Sequence, residues 1–382
     1  MLPDKHFLFA SDAVTDGHPD KLCDQIADTL LDACLAQDPE ARVACEACTK
    51  TGMVMVLGDV TTKARVNYEQ IIREVARSAG YDSDDKGLDW RTMNVIVAIE
   101  EKTPDVAQTL MLAGPSDNVG ARGIVSGYAT DETPEAMPLT QRLASCLCTQ
   151  LDTARRNGDL GWAYPSGSVQ VIVEHRETSE GAVVPVSVRS ISVSVRHGSD
   201  VKADQLERDL MEYVVKPVRP MSLCTDKTSY HFGSLKVANS DTGFSGRRVV
   251  SDTYGGWGSQ CDGSLSGLDG AQLARCGSYG ARWVAKSLVD TGLCKRCLVQ
   301  LTYLPDSVVP AAVHVNSYGT ARACARSDAE LSDIVTRGFD LRCSSLHRDL
   351  SLKEPRFQKL SAYGHFGRRD LQLPWERSRS LQ

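Results

Sequence analysis

A chain of 382 residues exceeds what one compact core usually organises, so two or three domains are expected. Its 42% hydrophobic and 24% charged residues suit an ordinary globular protein, and a net charge of −6 leaves no broad footprint for nucleic acid or an acidic membrane. The start, Met1-Leu-Pro-Asp-Lys-His-Phe7, lacks the apolar core of a signal peptide, and no apolar run reaches the ~18–20 residues of a membrane span, so a cytoplasmic location is expected.

The first organised segment runs from Phe7 to Gln37. A polar turn over Ser11–Asp20 leads into Leu22, Ile26, Leu30, Leu31 and Leu35 at helical spacing, with Pro19 and Asp20 suited to the first turn. Strands are predicted over Arg42–Cys48 and Met53–Thr61, then a helix over Tyr68–Ala79 ended by Gly80, then a strand over Asn94–Glu100. The same order recurs: helix Pro138–Asn157, strands Val169–His175 and Val183–His197, helix Asp204–Lys216 stopped by Pro217. A third round comprises helix Gln272–Val289, strands Cys297–Leu304 and Ala311–Ser317, and helix Ser327–Gly338, which opens on the capping-box pattern Ser-Asp-Ala-Glu. Three passes of helix, strand pair and helix imply three similar α+β units, each a sheet with helices on one face. Between them, Thr103–Ala129, the 217–248 stretch and the glycine-rich stretch read as irregular, and the tail Glu376–Gln382 reads as frayed.

Thirteen cysteines include Cys45-x-x-Cys48 and Cys294-x-x-Cys297, whose spacing fits zinc. Both pairs lie in apolar segments far apart in sequence, which favours buried reduced thiols.

Three stretches carry candidate chemistry. Asp252–Asp269 holds glycines at 255, 256, 258, 263 and 267 between Arg247-Arg248 and a helix start, a pattern suited to phosphates or to a plain surface turn. No lysine follows its last glycine, so it is not a Walker loop. Gly17-His-Pro-Asp-Lys21 gathers His18 as a donor to an anion, Asp20 as a Mg²⁺ ligand and Lys21 as a neutralising charge, against ordinary helix capping. Glu46, Asp59 and Asp241 are carboxylates that could serve a cation or ligand, or a solvated salt bridge.

Gly17-His-Pro-Asp-Lys-Leu-Cys-Asp-Gln25, Val43-Ala-Cys-Glu46 with Lys50-Thr-Gly-Met53, Gly127-Tyr-Ala-Thr-Asp-Glu-Thr133, Asp252-Thr-Tyr-Gly-Gly-Trp257, Ala281-Arg-Trp-Val-Ala-Lys-Ser287 and Tyr363-Gly-His-Phe-Gly367 resemble the methionine adenosyltransferase, or S-adenosylmethionine synthase, family from about Phe7 to Glu376. The resemblance implies three pseudo-threefold α+β domains, each a mixed or antiparallel sheet covered by helices. They would be interleaved as residues 1–15 with 132–232, 16–104 with 233–280, and 105–131 with 281–382. It implies dimers or dimers of dimers with shared sites, and attack of methionine sulfur on C5′ of ATP, with loss and hydrolysis of tripolyphosphate, aided by Mg²⁺ and K⁺.

By position, His18 resembles the family's triphosphate-side histidine, Asp20 a Mg²⁺ ligand and Glu46 the K⁺ ligand. Asp241 resembles an aspartate contacting ATP and methionine, and Arg247 a phosphate arginine. Arg248 stands for a lysine and Asp59 for a methionine-contacting glutamate. Other contacts are replaced: Leu268, Gln272 and Ala274 stand for two lysines and a Mg²⁺-binding aspartate, Lys102 and Ala121 for methionine contacts, and Ser166 and Ser168 for an aspartate and a lysine. Ser234-Leu-Lys-Val237 lacks the arginine-phenylalanine pair that holds phosphate and adenine. Losing one well-placed electrostatic stabiliser typically costs on the order of 10²–10³ in rate. The favoured expectation is therefore a subunit with little or no turnover that forms a hetero-oligomer with an active homologue. The alternatives are a working, slow synthase acting on ATP and L-methionine as a homodimer, and an ATP-binding protein without chemistry.

Overall fold

The computed structural model describes residues 5–102, 122–235, 242–260, 263–305 and 307–381. Its strands form three main sheets, and the first two share one plan. In the first, β1 (Lys5–Val14) pairs antiparallel with β6 (Ala163–Glu177), which forms a hairpin with β7 (Val183–His197), which pairs parallel with β8 (Cys224–Ser234). In the second, β9 (Gly243–Phe244) pairs antiparallel with β2 (Arg42–Lys50), β2 with β3 (Met53–Thr61), and β3 parallel with β4 (Asn94–Lys102). The third joins β5 (Gly123–Thr130), β10 (Arg296–Tyr303) and β11 (Ala312–Asn316), all antiparallel. A helix precedes each hairpin: α1 (Pro19–Leu35), α3 (Leu139–Asn157) and α6 (Leu273–Asp290). Another follows it: α2 (Tyr68–Ala79), α4 (Ala203–Leu210) and α7 (Asp328–Gly338), and the short α5 (Val249–Asp252) comes before α6. The triple pass read from periodicity is the architecture, an α+β fold.

Alternation explains the sheet layers. In β2, Val43, Cys45 and Ala47 are buried beneath α1, while Ala44, Glu46 and Cys48 face outward. Cys45 and Cys48 therefore point to opposite sides of one strand and cannot grip a common ion. All described cysteines are free thiols. The capping box of α7 is formed, with Ser327 and Glu330 each accepting from the other's backbone N–H. No described helix is long and apolar enough to cross a membrane.

Five expectations are corrected. Ser11–Val14 is strand, not turn, because its backbone continues the β1–β6 ladder to Val14↔Ser168. Residues 123–130 are strand β5 rather than loop. Their glycines mask the pattern, and Gly127 lies against α6, where a Cβ would meet Ala281 C at 2.2 Å. The 217–248 stretch contains strand β8. The chain past α4 runs through a widened turn, Met211–Val215, and on to Val218, so Pro217 does not stop it. Proline offers no N–H to the Tyr213 carbonyl, which accepts instead from Gln150 Nε2 at 2.8 Å. The tail, finally, is fastened. Trp283 Nε1 donates to Arg377 O at 2.8 Å, Arg379 N donates to Ser287 Oγ at 3.0 Å, and buried Arg282 holds Glu376.

Candidate functional site

The glycine stretch packs on protein. Gly255 and Gly256 have φ of 62° and 93°, and a Cβ on Gly255 would meet Gln141 Oε1 at 2.4 Å and Ser11 Oγ at 2.5 Å. Trp257 tilts over Phe9 with ring centroids 4.2 Å apart and donates to Thr140. Gly267, at φ 80°, presses its backbone on β2, where a Cβ would meet Cys45 O at 1.9 Å. Close packing on neighbouring elements accounts for Gly255 and Gly267, and a left-handed backbone for Gly256, without a ligand.

The charged residues meet at the start of α1. The Thr15–His18 turn is held by close contact, since a Cβ on Gly17 would meet Pro165 Cβ at 2.3 Å, and Tyr81 Oη donates to Gly17 O at 2.5 Å. His18 is the N-cap of α1, its Nδ1 accepting from Asp20 N at 3.1 Å. Strand β9 crosses so near Pro19 that only glycine fits at 243, and this brings Phe244 N within 3.1 Å of Asp20 Oδ1. The other carboxylate oxygen, Oδ2, accepts from Arg248 Nε at 2.9 Å. Arg248 Nη2 lies 3.3 Å from His18 Nε2, and Nη1 lies 3.6 Å from Asp12 Oδ2. Arg247 stacks over Phe244 at 4.1 Å, with Nη1 3.9 Å from Asp20 Oδ1. Burial, then the neighbouring Arg248 charge, push the His18 pKa down to about 4, so its imidazole is neutral at pH 7.

Lys21 is placed elsewhere than a ligand-neutralising charge requires. Its ammonium is buried, 2.6 Å from Asp252 Oδ1 and 2.8 Å from Asp24 Oδ2. Burial works against its charge, but the two carboxylates outweigh that and raise its pKa. The ion triad ties α1 to the residues just after Arg247 and Arg248, which keeps both guanidinium groups over Asp20.

Glu46 and Asp59 lie on the outward face of the second sheet, where Phe244 of that cluster also lies. Register sets the rows of this face. Leu268, Ala44, Asp59 and Glu100 form one, Glu46, Leu57 and Ala98 the next, and Phe244, Cys48, Met55 and Ile96 the third. Leu268, read as a lost lysine, thus stands beside Ala44 on this face. Ala274 lies in the first turn of α6, on a cavity of about 470 Å³ that it shares with Arg122, Val125, Leu273 and Tyr303. None of the described lining residues is a carboxylate. Ser166 is buried with an Oγ that has no hydrogen-bond partner. Asp241 and Ala121 lie outside the described residues, as does most of the 102–123 loop.

Three family models match in order along the chain: S-adenosylmethionine synthetase N-terminal domain over residues 6–104, central domain over 116–235, and C-terminal domain over 236–377. The chain belongs to the S-adenosylmethionine synthetase family. The three sheets with their helices agree with that membership.

Members of the S-adenosylmethionine synthetase family depend on Mg²⁺ and K⁺, and the residues present can be tested for both. Magnesium takes carboxylate and phosphate oxygens in an octahedron. Asp20 already gives one oxygen to a backbone N–H and the other to a guanidinium. Two unit charges 4 Å apart are worth about 4 kcal/mol in a partly buried setting, so a divalent ion at Asp20 would oppose Arg248 by roughly twice that. The Asp20 donor set does not fit Mg²⁺. Potassium also needs several oxygens, and the row of Glu46 otherwise offers Leu57 and Ala98. No group of three or more His, Cys, Asp or Glu side chains that could hold a metal occurs among the described residues.

Asp24, Asp252, Asp12 and Phe244 were not marked as site residues from sequence. Asp24 was findable, being three residues after Lys21 on one helix face. Asp252 and Asp12 come from distant segments, and no local spacing announces them.

Proposed function

We propose that this chain is an S-adenosylmethionine synthetase-family subunit with little or no turnover of its own, which pairs with an active homologous chain and adjusts its assembly or rate. The observation that carries the reading is the Arg248 guanidinium on Asp20 and beside His18, which neutralises the carboxylate that a divalent ion would use. The replacements Leu268, Gln272 and Ala274 point the same way, since each removes charge where the family grips triphosphate or metal. Ser166, buried with a partnerless hydroxyl at the place of an aspartate, adds to it. Shape is retained while charge is lost, which suits a partner more than a catalyst.

Pairing is expected to use the outward face of the second sheet, where Leu57, Ile96 and Phe244 are each about two-fifths exposed. Co-expression with an active family member, followed by native mass measurement, tests the pairing. A mixed oligomer whose rate per active chain differs from that of the active chain alone supports the proposal. Separate species with unchanged rate contradict it.

A further inference from the structure

Two thiols of the third unit meet beside a cavity whose lining shares no residue with the Asp20 cluster. The short helix α8 (Cys343–Asp349) lies on α6 at a glycine, since a Cβ on Gly280 would meet Leu346 Cδ1 at 2.7 Å. Cys276 stands one turn before Gly280 on α6, and Cys343 one turn before Leu346 on α8, so both fall on the facing stripes. Their side chains hydrogen-bond one another. Tyr303 Oη donates to Leu341 O at 2.6 Å and Ser345 Oγ to Asp340 Oδ2 at 2.7 Å, which fixes the chain around Cys343.

Burial sorts the pair. Cys276 is fully buried, whereas Cys343 is 6% exposed and lines a cavity of about 610 Å³ with Arg42, Ala271, His347 and Lys353. The hydrogen bond from Cys276 holds the Cys343 pKa below an ordinary thiol's, while that bond and burial push the Cys276 pKa up. Cys343 is the outer thiol and the readier nucleophile, and Cys276 is the inner thiol behind it.

We propose that Cys343 is oxidised from this cavity by a small hydroperoxide and that Cys276 resolves the product to a Cys276–Cys343 disulfide. The Cys343 sulfur takes one oxygen of the peroxide, the O–O bond breaks, and the thiol proton leaves with the other oxygen as an alcohol or water. The Cys276 sulfur then attacks the Cys343 sulfenic acid. The S–S bond forms, the S–O bond breaks, and the hydroxyl departs as water with the Cys276 proton. Two thiols together lose two electrons, and one peroxide is reduced. The oxidant is small because so little of Cys343 is open to the cavity. The bond ties α6 to α8 and closes a loop that contains β10, β11 and α7.

The test is peptide mapping of the full chain after a stoichiometric pulse of hydrogen peroxide, with the remaining thiols blocked by N-ethylmaleimide. The expected product is a cross-linked peptide joining Cys276 to Cys343, two hydrogens lighter than the separate peptides. Cys276→Ala is expected to leave a sulfenic acid on Cys343 that dimedone traps. Cys343→Ala is expected to slow oxidation of Cys276 by about tenfold or more. Oxidation that falls first on other cysteines, such as the hydrogen-bonded pair Cys294 and Cys297, overturns the proposal. So does a dimedone adduct on Cys276, or its oxidation at the parent's rate in Cys343→Ala. The map of the unaltered chain is decisive even where a variant fails to fold. Turnover and pairing do not enter this mapping, so this inference and the proposed function fail separately.

Discussion

Arg248 Nε stands 2.9 Å from Asp20 Oδ2, an ion pair between the first turn of α1 and the residue that caps the short helix Val249–Asp252. Sequence places these two residues 228 positions apart and offers each to a ligand. Folded, they neutralise one another, and the His18 imidazole beside them is held neutral. The proposed loss of turnover rests on charge: a carboxylate already paired with a guanidinium attracts a divalent ion less strongly.

Lys21 is expected to be structural. Replacing it by methionine leaves Asp24 and Asp252 buried without their cation, and breaking such a pair typically costs about 3–5 kcal/mol. Urea unfolding of Lys21→Met measures the loss, and adding Asp252→Asn is expected to recover part of it. A Lys21→Met chain as stable as the parent, but altered in ligand binding, would return Lys21 to the ligand side.

Gly17 is held by close approach, not by a left-handed backbone. Gly17→Ala puts a methyl group 2.3 Å from Pro165 Cβ and 2.6 Å from Pro165 O, so about 1–3 kcal/mol of overpacking cost is expected in urea unfolding. Gly161→Ala, whose nearest neighbour is Gly158 O at 3.5 Å, is the control and is expected to change stability by under ~0.5 kcal/mol. Equal effects at the two positions would refute the packing account of the turn that carries His18.

Asp152 is expected to take stability from the chain as pH rises, in the same sense as Asp28 and Asp252, whose pKa values burial also raises. Asp152 is buried beside Asp16, and burial followed by that like charge push its pKa up to about 7, against the pull of Arg155 and the Tyr363 hydroxyl. Arg156 also bears on the pair through Asp16. A carboxyl with a folded pKa above its ordinary ~3.9 binds its proton more tightly in the native state. Its contribution is therefore fully present below about pH 4 and is lost as pH rises through about 7. Thermal melts from pH 4 to 8 should show Asp152→Asn gaining Tm relative to the parent chain as pH rises, a difference in which the opposing contributions of His18 and His365, whose pKa values are lowered, cancel. A slope unchanged by Asp152→Asn would place the titration on another group.

Legibility in the sequence followed the range of the interactions. The three rounds of helix and hairpin were readable because apolar periodicity is local, and α1, α3 and α6 fall where the leucine and alanine stripes place them. The strands β1, β5 and β8 were not, because Ser11, Asp12, Gly127 and the polar run Thr225–Ser229 break alternation while distant partners still complete the ladders. At the site, the residues of the Gly17–Lys21 run were visible and their partners were not. Lys21 looked available until Asp252 reached it, and Asp20 until Arg248 did. The glycine stretch was visible as a need for close approach, but not what it approaches, which is β1, α3 and β2.

The most direct test of the central claim is S-adenosylmethionine formation by the purified chain alone, with ATP, L-methionine, Mg²⁺ and K⁺ in excess. Several charged contacts absent together predict a rate lower than an active family member's by well over the ~10²–10³ that one such loss costs, which in practice is product at background. Turnover within about tenfold of an active member, abolished by His18→Ala, would contradict the account.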